Sequence, residues 1–143
     1  VYDVAPDCRP VRVRELVRYW AMHEAVEEAV LNPHLAHPTD RAAEGQALNL
    51  ALASLTELPV DGVHFEQLLA TLSTAIRRHH QHEHDDLLES DLTPEDFGEA
   101  RRALDIVAEL ATQDGGPFAD DDDFDHVLAI ARTEVAQLAS QAR

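Results

Sequence analysis

RELVRYWAMHEAVEEAVLNP (residues 14–33) and IRRHHQHEHDDLL (residues 76–88) are the two most informative stretches of this chain, because each carries a His-x-x-x-Glu unit on a predicted helix. The units are His23–Glu27 and His79–Glu83. Residues four apart on a helix lie on one face, so each unit presents an imidazole beside a carboxylate. Two such units facing each other across a helical bundle would form a metal site of mixed nitrogen and oxygen ligands.

Both units interrupt apolar seams of their helices. Three–four spacing places the first unit in line with Val13, Leu16, Trp20 and Val30. The same spacing places the second unit in line with Phe65, Leu69, Leu72, Ile76 and Leu87. A buried carboxylate without a partner is costly, and a shared metal ion would satisfy all four groups. The alternatives are a buried His–Glu network without metal, and a different helix phase that leaves the groups in solvent.

Three more histidines surround the second unit. His80 borders the apolar stripe through the alternative spacing 76, 80, 83 and 87, and is a further candidate ligand. His82 and His84 are predicted to point outward, as in histidine tracts that lie on protein surfaces.

Periodicity and punctuation predict five helices and no strand, in one domain that covers residues 1–143. The helices are predicted from residue 10 to the stop at Pro33, then over about 39–55, 63–89, 94–111 and 124–139. Short connections force neighbouring helices to pack against each other. The expected fold is therefore an all-α, antiparallel four-helix bundle with an additional C-terminal helix.

Helix starts are predicted from polar residues that precede apolar runs. Thr39 or Asp40 is a cap for the second helix, Asp61 for the third, and Thr93 for the fourth. The acidic run Asp120–Asp123 lacks the spaced ligands and closing Glu of a calcium loop, and is predicted to cap the last helix.

Composition excludes several classes of function. A formal charge of −17 opposes binding to nucleic acid and to anionic membranes, and is compatible with binding cations. The single cysteine, Cys8, excludes a disulfide and a cysteine-built metal site within the chain. No apolar run is long enough for a membrane span, and no secretory signal is visible, so a cytoplasmic location is expected. Phosphate loops of the Walker type and Gly-x-Ser-x-Gly elbows are absent, and no enzyme class is assigned.

The stretches HEAVEEAVLNP and HHQHEHDDLL resemble the hemerythrin-like, or HHE cation-binding, family. In that family a proline typically follows six residues after the glutamate of the first unit, and Pro33 holds that place after Glu27. The resemblance spans about residues 13–89. It implies a four-helix bundle that holds a pair of non-haem iron ions, bridged by carboxylates and otherwise bound by histidines.

The resemblance assigns roles to the four residues of the two units. It implies that Glu27 and Glu83 bridge the ions and that His23 and His79 are terminal ligands. Family activities include reversible oxygen binding, oxygen or redox sensing, iron storage, and oxygen or peroxide chemistry.

The chain departs from the family pattern at two places. The family has a further helix before the first unit, with another histidine; it is absent here or precedes Val1. The family also has a histidine on the helix between the units, where AAEGQALNLAL offers Gly45 and thus a gap, with Glu44 as a neighbouring substitute. The last helix, in DFDHVLAIARTEV, resembles the missing one and would bring His126 to the metal.

The leading hypothesis is a non-haem iron-binding protein that carries out oxygen or redox chemistry, or sensing, at a carboxylate-bridged site. Oxygen or a reactive oxygen species is its expected partner. Three states of the site are possible, and they are ranked in this order: two ions with open positions, one ion among the four ligands, and a degenerate site. The rival hypothesis is a helical interaction or scaffold protein with a degenerate, metal-free site. A second copy of the chain or another protein is also considered as a partner.

Overall fold

A computed structural model describes residues 8–112 and 123–141, and these form five α-helices. The helices are α1 (Arg9–Val26), α2 (Pro38–Thr56), α3 (Val63–Leu88), α4 (Pro94–Thr112) and α5 (Phe124–Gln141). Within the described residues there is no strand, so the all-helical prediction is confirmed and the five predicted helices all form. The predicted loop between α4 and α5 lies outside the described residues, apart from Asp123.

Helix α1 packs against α5 and α4, while α2 packs against α3, and α5 also touches α2 and α4. Aromatic and branched aliphatic side chains fill the core between them, and the largest fully buried ones are Trp20, Phe65, Phe124, Leu52, Leu55, Leu72, Val17 and Val127. Burial of each such side chain contributes about 1.5–3 kcal/mol to folding. This core fixes the spacing of α1, α2 and α3, the helices that carry the candidate site.

The predicted phase of the two units is confirmed by burial. Glu27, His79 and Glu83 are buried, and the side chain of His23 is only 17% exposed. Phe65, Leu69 and Leu72 line the same buried face of α3. The alternative phase, in which these groups are solvated, is therefore wrong.

A turn of π-helix, Glu27–Leu31, follows directly on α1. The backbone N–H of Asn32 donates to the carbonyl oxygen of Glu27, the five-residue step of a π-turn. A short 3-10 helix, Asn32–His34, then carries Pro33 and ends the segment. The widened turn begins at a predicted ligand, Glu27, and π-turns are frequent at functional sites.

Two predicted caps are wrong and two are supported. Helix α2 begins at Pro38, so Thr39 and Asp40 lie inside its first turn, and α3 is preceded by Gly62, which takes the cap position from Asp61. Thr93 accepts from the backbone N–H of Asp96 at 3.3 Å, and the Asp96 carboxylate accepts from the backbone N–H of Thr93 at 2.8 Å. This reciprocal pair is a capping box for α4.

At the start of α5, Asp123 Oδ1 accepts from the backbone N–H of His126 at 3.1 Å. This contact supports the capping role predicted for the acidic run, whose other members lie outside the described residues. Among the helices that the structure describes, none is both long and apolar enough to cross a membrane.

Candidate metal centre

The two His-x-x-x-Glu units meet in the interior, between the end of α1 and the C-terminal half of α3. Within the first unit, His23 Nε2 lies 2.7 Å from Glu27 Oε1. Within the second, His79 Nε2 lies 2.8 Å from Glu83 Oε1. The units also approach each other, since His79 Nε2 is 3.9 Å from Glu27 Oε2. The structure thus brings together the four residues that the sequence singles out.

Two groups of three potential metal ligands form around these contacts, each with ligand atoms within 4.8 Å of one another. The groups are His23, His80 and Glu83, and Glu24, Glu27 and His79. His80, the further candidate from the sequence, joins the first group. Glu27 links the groups, because one of its oxygens is close to His23 and the other faces His79.

The two ligand groups are related by the same spacing on both helices. The α1 segment supplies residues 23, 24 and 27, and α3 supplies residues 79, 80 and 83, so both use positions i, i+1 and i+4. Each group takes residues from both helices. Exchanging the two sets of positions converts one group into the other, which is a pseudo-twofold arrangement of ligands. One difference remains, because position i+1 is Glu24 in the first set and His80 in the second.

Glu24 is the ligand candidate that the sequence reasoning missed, and it explains Gly45. A Cβ atom at residue 45 would lie 2.7 Å from Glu24 Oε2 and 3.1 Å from Glu24 Oε1. The predicted gap at Gly45 is therefore filled by a carboxylate from α1. Asn49 Nδ2 donates to Glu24 Oε2 at 3.4 Å, and Asn49 Oδ1 accepts from the Trp20 indole at 2.9 Å, so the carboxylate is held in place.

Glu44 belongs to neither ligand group and contacts Nδ1 of His79, the ring nitrogen that faces away from those groups. Its Oε2 is 3.0 Å from His79 Nδ1, and its Oε1 is 2.8 Å from His82 Nδ1. Despite partial burial, contacts with His79 and His82 lower the pKa of Glu44, so the carboxylate accepts and Nδ1 of His79 donates. Metal-bound histidines commonly donate the proton of the other ring nitrogen to a carboxylate in this way. The suggested substitution of Glu44 for a missing ligand is thus not seen.

Three buried atoms of the site have no hydrogen-bond partner among the residues that the structure describes: His23 Nε2, His79 Nε2 and Glu83 Oε1. The 2.7 and 2.8 Å pairs are close enough for hydrogen bonds but are not aligned for them. Ligands of one ion lie roughly 3–4 Å apart when each is about 2.1 Å from the metal. Within the buried group, His79 Nε2 is 4.0 Å from Glu24 Oε1 and 3.9 Å from Glu27 Oε2. This spacing and the unaligned contacts fit a metal ion better than a closed hydrogen-bond network.

The pKa values of the three glutamates of the site are shifted in opposite directions. Burial, with repulsion from Glu27, raises the pKa of Glu24 to about 7. Burial also acts to raise the pKa of Glu27, but contacts with His23 and His79 outweigh it and lower that pKa to about 2. Burial raises the pKa of Glu83. One carboxylate is thus held as an anion, while its two neighbours retain protons more readily.

The pKa values of two imidazoles of the site are also shifted in opposite directions. Burial opposes the charge on His79, but contacts with Glu27, Glu83 and Glu44 outweigh it and raise the pKa of His79 to about 10. Burial and the nearby His23 lower the pKa of His80, which makes it a neutral ligand. Without a cation in the site, the proton on His79 balances part of the charge of the carboxylates.

The two ligand groups differ in access to solvent. Glu24, Glu27 and His79 are all buried, whereas the other group includes His80, whose imidazole is exposed. The buried ring of Trp20 lies beside histidines of both groups, with its centroid 5.5 Å from that of His23, 6.0 Å from that of His80 and 6.2 Å from that of His79. A metal ion in the outer group would be reachable from solvent, and one in the inner group would be enclosed.

A cleft of about 350 Å³ opens onto His23 and Glu27. Its other wall is α4, with Phe97, Arg101 and Leu104 among the lining residues. Helix α4 lies beyond the stretch that resembles the hemerythrin-like family, so the cleft was not foreseen. Its volume is at the lower end of the range for small-molecule sites, about 300–1,000 Å³.

Some of the histidines lie outside the ligand groups. His126 is exposed on α5 and belongs to neither group, so the permuted arrangement is not seen. His84 is exposed as predicted, and His82 is partly exposed and contacts Glu44.

Comparison of the chain with protein-family models, with curated proteins and with solved structures finds no match.

Proposed function

We propose that this chain is a non-haem iron-binding protein similar to the hemerythrin-like family, with a carboxylate-bridged pair of metal ions and with oxygen or a reactive oxygen species as its partner. The observation that carries the proposal is the pair of three-ligand groups that meet at Glu27. An antiparallel four-helix bundle with an additional C-terminal helix is the proposed architecture.

The donor atoms fit a first-row transition metal such as iron better than softer or harder cations. Imidazole nitrogen suits zinc, copper, iron and nickel, whereas carboxylate oxygen suits magnesium, calcium and manganese. A set of three histidines and three glutamates lies between these preferences. Neither ligand group includes a cysteine, which argues against an iron–sulfur cluster or a copper(I) site.

Bound iron would supply the one-electron and oxygen chemistry that amino-acid side chains lack. In this proposal His23, His80 and Glu83 hold the outer ion, and the buried group holds the inner one. Glu27 would contribute to both groups, because its Oε1 is close to His23 and its Oε2 faces His79. Each ion has few enough protein ligands to retain open positions for an exogenous ligand.

The surrounding residues would control access and orientation. The cleft beside α4 leads to His23 and Glu27, so it is the proposed approach for a small partner. Trp20 would shield one side of the site from water, because its buried ring packs against histidines of both ligand groups. Glu44 orients His79 so that its Nε2 faces the ligand group.

A metal-free interaction protein is the second candidate, and charge balance is the observation in its favour. His79 has a raised pKa, and Glu24 and Glu83 also tend to hold protons, so the buried cluster is partly neutralised without a cation. Such a network is stable when each buried charge has an opposite partner.

Metal content of the protein after anaerobic reconstitution with ferrous iron, read with its near-ultraviolet and visible spectrum after exposure to air, tests the proposal. Binding of about two ions per chain is expected, with ligand-to-metal charge-transfer bands of ferric iron after exposure to air. Uptake of about one ion would indicate a mononuclear site. No uptake would overturn the proposal and favour the interaction protein.

The variant His79→Ala removes a ligand from the buried group and should abolish iron uptake at that group. His84→Ala, on the exposed side of the same helix, is the matched control and should bind iron like the parent. Equal iron content in both variants would contradict the assignment of His79.

A further inference from the structure

A continuous chain of polar side chains leads from His79 to the surface on the side opposite the ligand groups. Glu44 Oε2 accepts from His79 Nδ1 at 3.0 Å and from Arg41 Nη1 at 2.9 Å. Arg41 Nε forms an ion pair with Asp86 Oδ2 at 3.3 Å, without the alignment of a hydrogen bond. Asp86 Oδ1 lies 2.9 Å from Nδ1 of His37, whose side chain is more than half exposed.

The middle of this chain is buried, although it is charged. The side chains of Arg41 and Asp86 are only 9% and 7% exposed. Burial of such charges is costly unless each has partners with good geometry. The pair also lies next to the site along the chain, with Asp86 three residues beyond Glu83 on α3 and Arg41 three residues before Glu44 on α2.

We infer that Arg41 and Asp86 are positioning residues of the metal site. Asp86 holds the guanidinium of Arg41, which in turn holds the Glu44 carboxylate against Nδ1 of His79. The proton of His79 is thereby kept on Nδ1, and Nε2 is left facing Glu83 and Glu27. This inference rests on the proposed function, because it assigns a role toward a metal bound at Nε2.

Arginine is needed at position 41 because its fork offers several donors in a fixed plane. One nitrogen contacts Glu44 while another faces Asp86, so a single side chain spans both carboxylates. Lysine carries the same charge on a single nitrogen atom at the end of a flexible stem. It therefore does not hold two carboxylates in fixed positions as the guanidinium does. The change Arg41→Lys therefore separates geometry from charge.

The test compares Arg41→Lys and Asp86→Asn with the parent and with Arg9→Lys. Arg9 is a matched control, since it is also partly buried and bridges two segments, by contacting the Val60 carbonyl oxygen and Glu66 away from the site. Ferrous iron affinity is measured anaerobically. Proton exchange at His79 Nδ1 is followed by nuclear magnetic resonance on the metal-free proteins, and thermal unfolding reports stability.

Both site variants should bind ferrous iron roughly tenfold or more weakly than the parent, as expected when an outer partner of a ligand is lost. The His79 Nδ1 proton should exchange faster in both, while Arg9→Lys changes neither quantity. Asp86→Asn keeps the inference testable if Arg41→Lys does not fold. Iron affinity and proton exchange like those of the parent in the site variants would overturn the inference.

The two proposals fail in different ways. A parent protein that takes up no iron would overturn the proposed function, and the assignment of a metal-positioning role would fall with it, even if proton exchange changes. A parent that binds iron, with variants that lose stability but not affinity, would overturn only the positioning role.

Discussion

Gly45 lies so close to Glu24 that a Cβ atom on the glycine would come within 2.7 Å of the Glu24 carboxylate. The glycine on α2 therefore makes room for a carboxylate from α1. A position that looks like a lost histidine in the sequence is instead the space in which a buried ligand group places its second glutamate.

Replacement of Gly45 by alanine should displace Glu24 and weaken metal binding at the buried group, without unfolding the protein. Alanine is favoured over glycine within a helix by about 1 kcal/mol, which offsets part of the strain. Iron content of Gly45→Ala should fall toward about one ion per chain, while the helical circular dichroism stays unchanged.

Gly98→Ala is the control for this change, because it makes the same substitution inside α4. Its Cβ would meet only the end of the Arg102 side chain, at 3.4 Å. This variant should retain the iron content of the parent. Full iron binding by Gly45→Ala would show that Glu24 is not a ligand.

Metal binding should release protons, and its apparent affinity should rise with pH. Around neutral pH, His79 carries a proton because its pKa is about 10, and Glu24 is about half protonated because its pKa is about 7. A cation must displace these protons, so about one to two protons should leave per chain at pH 7. Calorimetry of zinc binding in two buffers of different ionisation enthalpy measures this number. Binding without proton release would contradict the assignment of His79 and Glu24 as metal ligands.

The pair of His37 and Asp86 should stabilise the fold most at mildly acidic pH. Contact with Asp86 raises the pKa of His37 above 6.5, so its contribution is complete below that value and is lost as the pH rises through the raised pKa. Burial opposes the charge of Asp86, but contacts with His37 and Arg41 outweigh it and lower the pKa below 3.8. The Asp86 contribution is present above 3.8 and is lost below the lowered pKa.

The measurement is the difference in melting temperature between the parent and His37→Gln. The parent should exceed the variant at about pH 5, and the difference should shrink at about pH 9. His64→Gln, an exposed histidine near the start of α3, should show no such dependence. A difference that grows with rising pH would contradict the pairing.

Much of the fold was predictable because the helices have clear apolar periodicity and are separated by recognisable capping, proline and glycine residues. Apolar periodicity located all five helices, and the capping box at Thr93 and Asp96 set the start of α4. The caps of α2 and α3 were missed for a local reason. Pro38 suits the first helical position, and Gly62 adopts the extended backbone that precedes a helix, so neither helix needs a side-chain cap.

The candidate site was predictable only where ligands share a seam. His23, Glu27, His79 and Glu83 follow the three–four spacing, and that spacing brought them to notice. Glu24 lies off the seam by one residue, and it is buried because a glycine on another helix makes space for it. Contacts of that kind join residues far apart in sequence, and helical periodicity carries no information about them.

The same limit applies to the cleft beside α4. Its walls combine His23 and Glu27 with Phe97 and Arg101, which are about 70 residues further along the chain. The sequence indicated that α4 exists, but the docking of one amphipathic helix on another depends on side-chain packing.

The pseudo-twofold spacing of the ligands has a consequence for protein design. Because each helix supplies positions i, i+1 and i+4, one peptide sequence carrying ligands at those positions would provide both groups when two copies associate around a twofold axis. The natural chain differs from such a homodimer of peptides chiefly at Glu24 and His80. That single asymmetry gives the inner ligand group more oxygen donors and the outer group more nitrogen donors, and a symmetric assembly would make the two groups identical.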